Sequence, residues 1–455
     1  MNEETIAAIS TPFAQGGIGI IRISGSLAKN VASKVFKSIN SKSIHTLDGY
    51  QALFGRVFDK DGDIDEAILL NFNAPYSYTG EDVIELSVHS GLYILKRVLR
   101  AVIESGARLA QCGEFTKRAF LNGKISLTEA EAVMDLISAH NSQAANAALL
   151  VKDGAIHNQI SNKIDELVEL VGKITAWIDY PEEDLISINR SEIIFGISKI
   201  RDNLSTLESN FDTGKIIKEG ISVVIAGKPN VGKSTIMNLI SGYEKSITTQ
   251  IPGTTRDIIE ENVLLDDIMI NLFDTAGLRE TADIVEQHGV SLAYKKLNQA
   301  DIVLLVFDNS ARFNIEDENL INIIKGIPTI AIINKFDLKS NLELSKIKNL
   351  YNNVITISAT DIKSKEIISN EIKNILNLKY LKMNTMFLSN ERQLYLVKDA
   401  IYHLDDAINS LKTGLTYDAI VVCIETAIEF LSQLTGKNVT DMVINEIFSN
   451  FCVGK

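Results

Sequence analysis

Apolar residues recur at two different spacings along this chain, and the spacing changes three times. Over residues 1–118, short β-rich runs alternate with glycine turns, as in Gly16–Gly25 and Asp82–His89. Alternating apolar positions with glycine punctuation are typical of strands joined by tight turns. This first stretch is therefore predicted to be an α+β domain.

Residues 119–215 have few glycines, and their apolar residues fall at helical spacing. Ser126 and Glu129 have the spacing of a capping box, which opens a helix. A later run carries the apolar residues Ile164, Leu167, Leu170, Val171, Ile174 and Trp177. Residues 383–455 return to the same spacing, so both ranges are predicted to be helical.

Residues 216–382 differ from both neighbours, because apolar strands there are each followed by a helical segment. This order predicts a parallel sheet covered by helices. The economical interpretation is an α/β domain inserted into a helical domain, whose two halves flank it in sequence. With the N-terminal α+β domain, the predicted fold is multi-domain, α/β and α.

Composition narrows the class of protein. The 455 residues are 45% hydrophobic and 23% charged, which is ordinary for a globular chain. Three scattered cysteines favour a reducing compartment. The N-terminus lacks a signal-peptide pattern and no apolar run could span a bilayer, so we expect a cytoplasmic protein without a membrane partner.

The net charge of −13 argues against binding nucleic acid by bulk electrostatics. Any contact with nucleic acid must therefore depend on a local basic patch or on a partner protein.

One motif follows the first strand of the α/β region directly. The run Ile221–Ala226 leads into GKPNVGKS, which matches GxxxxGK[ST]. The glycines let backbone N–H groups turn inward around phosphate oxygens, with Lys233 on the β and γ phosphates and the Ser234 hydroxyl on Mg²⁺. The motif predicts nucleotide binding by Asn230, Val231, Gly232, Lys233, Ser234 and Thr235.

Three further motifs each follow an apolar strand, in the order that a GTPase requires: DTAG, NKFD and the run Ser358–Thr360. In DTAG, Asp274 is predicted to hold the Mg²⁺ shell and Gly277 to meet the γ-phosphate. The carboxylate of NKFD can accept hydrogen bonds from guanine groups that adenine lacks. The residues predicted to contact guanine are Asn334, Lys335, Asp337, Ser358 and Ala359. Together these motifs predict a Ras-like P-loop GTPase domain.

The hydrolytic residue differs from the Ras pattern. Leu278 stands where Ras-like proteins place the glutamine that orients water. Another polar group nearby must take that role, with Arg279, Glu280, Asp283 and Glu286 as candidates. Upstream, Thr255 is the natural second hydroxyl ligand of Mg²⁺. Arg256 is either an internal arginine finger or an ordinary surface cation.

The whole chain resembles the MnmE (TrmE) family of tRNA-modifying GTPases. The resemblance is carried by GKPNVGKS, IPGTTRD, DTAGLRE and NKFD, by TGEDVIEL and GEFTKRAFLNGK near the N-terminus, and by the terminal FCVGK. It implies GTP hydrolysis coupled to addition of an aminomethyl-type group at C5 of the tRNA wobble uridine. It also implies a homodimer, a 5-formyl-tetrahydrofolate or related one-carbon donor, and a flavin-dependent partner, MnmG (GidA).

Carried over residue by residue, the resemblance assigns further sites. Arg22, Glu85, Lys124 and Lys455 match folate-contacting positions, and Cys452 matches a cysteine implicated in modification. Glu286 aligns with the water-activating carboxylate, which accounts for Leu278. A potassium site, in which K⁺ replaces an arginine finger and activates hydrolysis as GTPase domains pair, is implied for Asn230, Thr249, Ile251 and Thr254. Thr249 is thereby also placed next to the nucleotide.

Two alternatives stay open. The chain could be a ribosome-assembly GTPase that switches on ribosomal RNA, or a one-carbon enzyme whose GTPase domain is only regulatory. Folate binding by residues 1–118 would distinguish a tRNA-modifying GTPase from the first alternative. Analysis of nucleosides modified in a reconstituted system would distinguish it from the second.

Overall fold

A computed structural model describes residues 4–179, 189–242, 260–265, 268–274, 297, 299–376 and 386–454. The chain divides into two compact units. The first comprises Met1–Met134, Val151–Leu204 and Tyr395–Lys455, and the second comprises Asp135–Leu150 and Ser205–Leu394. Among the described residues, no helix is both long enough and apolar enough to cross a membrane.

The first unit contains a seven-stranded sheet in the order β3-β4-β5-β6-β2-β1-β7. Neighbouring strands are antiparallel, except that β1 and β7 are parallel. The strands are β1 (Ile6–Ile9), β2 (Gly16–Ser24), β3 (Phe36–Ser38), β4 (Gln51–Asp59), β5 (Gly62–Phe72), β6 (Val83–Ser90) and β7 (Arg108–Leu109).

One face of this sheet is buried, and the opposite face carries a candidate site. Helices α1 (Ala28–Ser33) and α2 (Leu92–Glu104) pack on the buried face, where Ile21, Leu69 and Leu86 are inaccessible to solvent. Because side chains alternate across a strand, the neighbouring residues of β2 and β6 point to the opposite face.

The remaining helices of this unit include α3 (Glu114–Leu121), α4 (Leu127–Ser138), α6 (Ala155–Asp179), α7 (Arg190–Ser209), α13 (Glu391–Thr413), α14 (Tyr417–Thr435) and α15 (Asp441–Ser449), of which α4, α7 and α13 continue into the second unit. The predicted capping box is present: Ser126 N–H donates to Glu129 Oε2 at 2.7 Å, and Glu129 N–H donates to Ser126 Oγ at 3.3 Å. Helix α6 packs on α14, with the Trp177 and Tyr417 ring centroids 4.8 Å apart. The predicted fold class, including a helical part split in sequence, is confirmed.

The second unit is built on a six-stranded sheet in the order β13-β12-β11-β8-β10-β9, in which only β9 is antiparallel to its neighbour. Its strands are β8 (Ile221–Gly227), β9 (Glu260–Leu265), β10 (Ile268–Asp274), β11 (Ile302–Asp308), β12 (Thr329–Asn334) and β13 (Val354–Thr356). Its helices are α5 (Ser142–Lys152, which reaches into the first unit), α8 (Phe211–Glu219), α9 (Lys233–Ser241), α10 (Ile315–Ile323), α11 (Leu344–Leu350) and α12 (Ser364–Ile375).

The central strands of this sheet are apolar throughout because both of its faces are covered. In β8, Val223 and Ile225 join one core, whereas Val224 and Ala226 join the core on the opposite face. The predicted strand over residues 221–226 agrees with β8 to within one residue at each end. The carboxyl ends of the parallel strands meet at one edge, which is where ligands bind in such sheets.

The division into domains 1–118, 119–215, 216–382 and 383–455 stays a prediction. Residue 118 lies inside α3 and residue 215 inside α8, so a border at either point would cut a continuous helix.

Candidate functional site

The phosphate loop joins β8 to α9 and depends on unusual backbone angles. Gly227, Asn230 and Gly232 have φ angles of 153°, 62° and 102°. A Cβ atom at Gly227 would come 2.6 Å from the carbonyl oxygen of Val306, so only glycine fits there. Asn230 holds a left-handed conformation without that freedom, which costs about 1 kcal/mol or more and therefore needs support from its neighbours.

The first two carbonyl groups of the loop are bound by the lysine of the same motif. Lys233 Nζ donates to the carbonyl oxygens of Gly227 and Lys228, both at 2.9 Å. Carbonyl oxygens that are held in this way leave the N–H groups to point toward the opposite side, where an anion can bind.

Two further carbonyl groups of the loop are bound by the NKFD motif. Lys335 Nζ donates to the Asn230 carbonyl at 2.8 Å, and Asn334 Nδ2 donates to the Val231 carbonyl at 2.8 Å. These contacts supply the support that Asn230 needs. They also join two motifs that are about a hundred residues apart in sequence.

The guanine loops meet through side-chain contacts. Asn334, only 2% exposed, accepts a hydrogen bond from the Ala359 N–H at 2.9 Å. Ser358 Oγ donates to Asp337 Oδ1 at 2.8 Å, while the Asp337 side chain stays exposed. An oriented, accessible carboxylate beside a buried amide is suited to bind the edge of a base.

Asp308 ends β11 and was missed by sequence reasoning. Its carboxylate lies 2.7 Å from Lys335 Nζ. Burial would raise the pKa of Asp308, but hydrogen bonds from Lys335 and Ser310 lower it overall. The carboxylate therefore stays charged and fixes the ammonium that supports Asn230. Its position directly after an apolar strand was the available signal.

The Mg²⁺ and potassium positions are described only in part. Ser234 and Thr235 lie in the first turn of α9 and are exposed. Asp274 ends β10, as predicted, and its backbone alone is described. Eleven residues named as site candidates lie outside the described residues: Thr249, Ile251, Thr254, Thr255, Arg256, Gly277, Arg279, Glu280, Asp283, Glu286 and Lys455.

A second candidate site lies on the face of the N-terminal sheet opposite the core. Arg22 of β2 is in register with Glu85 of β6, and Arg22 Nε lies 2.8 Å from Glu85 Oε1. The two side chains are 19% and 14% exposed. The Arg22 guanidinium also lies 5.9 Å from the ring centre of Tyr78 and 5.6 Å from that of Phe115.

The end of the chain completes this site. Arg22 Nη1 donates to the Gly454 carbonyl at 3.3 Å, and Ser10 Oγ donates to the same oxygen at 3.1 Å. Cys452 is exposed, and its carbonyl accepts a hydrogen bond from the Gly113 N–H at 3.3 Å. The terminal residues are thereby held beside Arg22 of β2, which lies 432 positions before Gly454.

Lys124 is not joined to this pair directly. Its Nζ donates to the Pro75 carbonyl at 3.0 Å, and its stem lies beside Gly80. Both contacts are with the segment that carries Tyr78. The structure therefore brings together Arg22, Glu85 and the chain end. Lys124 instead contacts the loop that carries Tyr78.

Tyr78 is a residue that sequence reasoning missed. Its hydroxyl is 2.9 Å from Thr116 Oγ1, and burial raises its pKa above the ordinary value, with Thr116 and Arg22 acting in the opposite direction. Tyr78 stands just before the TGED motif, which was the available signal.

The two N-terminal signature segments hold each other in place. Arg118 Nη1, in GEFTKRAFLNGK, donates to both carboxylate oxygens of Glu81, in TGED, at 3.0 and 3.1 Å. Asn122 Nδ2 donates to the Thr79 carbonyl at 2.7 Å. Burial would raise the pKa of Glu114, but hydrogen bonds from Arg108, from the Gln111 N–H and from Arg118 lower it overall. This charged network fixes the loop that presents Tyr78.

The sheet order, together with the order of the four motifs along the chain, defines a P-loop GTPase. Residues 5–124 match the family model "GTP-binding protein TrmE N-terminus", and residues 127–452 match "MnmE helical domain". Proteins of Acetivibrio thermocellus and Clostridioides difficile, both named tRNA modification GTPase MnmE, are 38% identical across all of this chain and 99% of their own length. The chain belongs to the MnmE (TrmE) family of tRNA modification GTPases.

This membership makes the chain a GTP hydrolase, and the family implies that it binds GTP and Mg²⁺. Two solved structures are partly similar to it. Aquifex aeolicus Era bound to GDP and AlF4⁻ is 25% identical, with a TM-score of 0.26 over 40% of this chain and 66% of that one. Era with MgGDPNP and a segment of 16S ribosomal RNA is 27% identical, with a TM-score of 0.28 and the same coverage. TM-scores this low support no inference.

Proposed function

We propose that this GTPase acts with the flavin-dependent protein MnmG (GidA) on the wobble uridine of certain tRNAs. The product is an aminomethyl or carboxymethylaminomethyl group at C5, and a tetrahydrofolate supplies the one-carbon unit. The observation that carries the proposal is the partly buried Arg22–Glu85 pair, with the Arg22 guanidinium 5.9 Å from the ring centre of Tyr78, in a chain that also has the GTPase motifs.

The nucleotide roles follow from the loops. Lys233 neutralises the β and γ phosphates, Ser234 coordinates Mg²⁺ together with Thr255, and Asp337 selects guanine. The exposure of Ser234 and Asp337 supports these roles, because a ligand can reach both side chains. The carbonyl oxygens of the phosphate loop are held by lysine and asparagine side chains, which leaves its N–H groups for phosphate oxygens.

Hydrolysis is assigned to Glu286 as the group that activates water, with K⁺ bound by Asn230, Thr249, Ile251 and Thr254. Of these residues Asn230 is described, and its exposed side chain beside the phosphate loop is compatible with a cation ligand. A K⁺ ion there would supply the positive charge that an arginine finger provides elsewhere. Hydrolysis measured in K⁺ and in Na⁺ tests the assignment, and equal rates would contradict it.

The folate is assigned to Arg22, Glu85 and the chain end with Lys455. A partly buried carboxylate can accept hydrogen bonds from the amino groups of a pterin, while Tyr78, which is 38% exposed, offers a ring face for stacking. Lys124 is assigned to the folate through its contact with the Tyr78 loop. Cys452, which is exposed, is assigned a role in the modification.

The homodimer is assigned to the exposed face of the N-terminal sheet. Phe54 of β4 lies opposite Ile68 of β5, and these side chains are 51% and 47% exposed. Adjacent exposed apolar side chains of this size favour an interface. Phe54→Glu should therefore lower the molar mass measured by light scattering from that of a dimer to that of a monomer.

Reconstitution with MnmG, a tRNA, GTP and a tetrahydrofolate, followed by nucleoside analysis, tests the proposal as a whole. The expected result is a modified uridine that is missing when GTP is omitted. Lack of modification, together with lack of 5-formyl-tetrahydrofolate binding, would leave the ribosome-assembly GTPase as the better explanation.

A further inference from the structure

Lys228 is the second residue of the phosphate loop, and its side chain reaches the start of α10. Its Nζ lies 2.6 Å from Asp317 Oδ2 and 3.1 Å from Asn314 Oδ1. The side chains of Lys228 and Asp317 are only 12% and 3% exposed. Salt therefore screens this pair much less than it screens a surface ion pair.

The acceptors of this contact are fixed by a capping box. Asn314 Oδ1 accepts hydrogen bonds from the N–H groups of Glu316 and Asp317, and Asp317 Oδ2 accepts one from the Asn314 N–H at 3.0 Å. This reciprocal cap holds both side chains at the end of α10. Lys228 thus binds to a rigid acceptor pair.

The main chain of Lys228 has a separate task. Its carbonyl oxygen, with that of Gly227, accepts the two 2.9 Å hydrogen bonds from Lys233 Nζ. The side chain is anchored to α10 and the carbonyl to Lys233, so a shift of residue 228 would move the ammonium of Lys233. A small displacement of a charged group at a phosphate site has a large effect on binding.

We infer that Lys228, through Asp317 and Asn314, is a positioning residue of the GTPase reaction. It holds the first turn of the phosphate loop so that Lys233 reaches the β and γ phosphates. This inference rests on the proposed role of Lys233.

The same helix offers a matched control. Lys346 of α11 pairs with Glu318 of α10 at 3.2 Å, but these side chains are 46% and 52% exposed. Exposed pairs of this kind contribute little to stability. Lys346→Ala therefore removes a lysine that contacts the first turn of α10 but lies outside the phosphate loop.

The test measures competition of GMP, GDP and GTP against a fluorescent GDP analogue on the full-length protein. Lys228→Met and Asp317→Asn should each weaken GDP and GTP about tenfold, the usual order for loss of a charged hydrogen bond. GMP should bind unchanged because it lacks the β and γ phosphates. Lys346→Ala should bind all three nucleotides as the unchanged protein does.

The double variant should be no weaker than the weaker single variant, because both substitutions remove one link. Equal losses for GMP and GDP would show a general structural role and overturn the inference. Unchanged GDP affinity in Asp317→Asn would overturn it as well. Lys228→Met leaves a buried carboxylate unpaired and can fail to fold, in which case Asp317→Asn decides.

A separate variant distinguishes this inference from the proposal on which it rests. If Lys233→Ala keeps normal GDP and GTP affinity, the phosphate role of Lys233 fails, whatever the Lys228 variants do. If Lys233→Ala loses affinity and Asp317→Asn does not, only the inference about Lys228 fails.

Discussion

The phosphate loop and the Arg22–Glu85 site both hold a cation against a main-chain carbonyl oxygen, yet they are assembled differently. In the phosphate loop, the hydrogen bonds that Lys233 donates to carbonyl groups stay within seven residues, from Gly227 to Lys233. The Arg22 contact to Gly454 joins residues 432 positions apart. A local site can be recognised as a motif, whereas a site of this second kind exists only when the chain ends meet.

The largest effect is expected at the local site. Lys233→Ala should lower the rate of GTP hydrolysis by about 10²- to 10³-fold, as expected for the loss of a charged donor at the reacting phosphate. Phosphate release at saturating GTP measures it, with Lys346→Ala as the control. Binding of 5-formyl-tetrahydrofolate by the same variant should be unchanged. A loss of folate binding in this variant would show that the two sites are not independent.

A smaller effect is expected at the guanine loop. Asp337→Asn replaces a carboxylate acceptor by an amide, which can donate to the extra oxygen of xanthine. The preference for GTP over XTP should fall by about a hundredfold, in line with the loss of charge-assisted hydrogen bonds. Competition binding measures it. Unchanged preference would mean that another group selects guanine, and that this motif is less local than it looks.

The long-range site should respond to the chain end. Removal of residues 452–455 deletes the Gly454 carbonyl, and 5-formyl-tetrahydrofolate should then bind about tenfold more weakly. Calorimetry on the full-length and shortened proteins measures the change, and GDP affinity should stay within about twofold. Arg56→Ala, which removes a 57%-exposed arginine from the same sheet, is the matched control. Equal folate affinity in the shortened protein would remove the chain end from the site.

The smallest effect concerns a long-range pair outside either site. Arg97 donates two hydrogen bonds to Asp59, and chiefly for this reason the pKa of Asp59 falls from 3.8 to about 2. The pair should stabilise the fold above the pKa of the unfolded chain, near 4, and this stability should be lost as the pH falls from about 4 to about 2.

Acid unfolding of Asp59→Asn measures this effect. The variant should be less stable than the unchanged protein at pH 7, and the difference should close by about pH 2. Asp63→Asn, which removes a partner of Arg56 from a pair more than half exposed, should change little at any pH. A constant difference for Asp59→Asn across the range would rule out titration as the cause.

Sequence reasoning succeeded where chemistry and strand ends coincide. The apolar run 221–226 became β8 (Ile221–Gly227), and each GTPase motif lies at the end of the strand predicted for it. Parallel strands place such ends at one edge, so order along the chain implies nearness in space. The capping box at Ser126 was also predicted, because its two partners are three residues apart.

Three contacts were not predicted, and each depends on distant residues. Asp308 fixes Lys335, Asp317 fixes Lys228, and Tyr78 faces Arg22. Separately these are ordinary strand-end, helix-cap and loop residues, so no spacing in the sequence marks them.

The sequence alone determined the alternation of strands and helices and the GTPase motifs, because each of them is defined by residues that are neighbours along the chain. The tertiary structure decided that Arg22 meets Gly454, that Glu81 binds Arg118 and that Lys228 reaches α10. These pairings depend on strand register and on packing between distant segments. The same pattern of buried and exposed positions is compatible with many such pairings, and only the folded chain selects one of them.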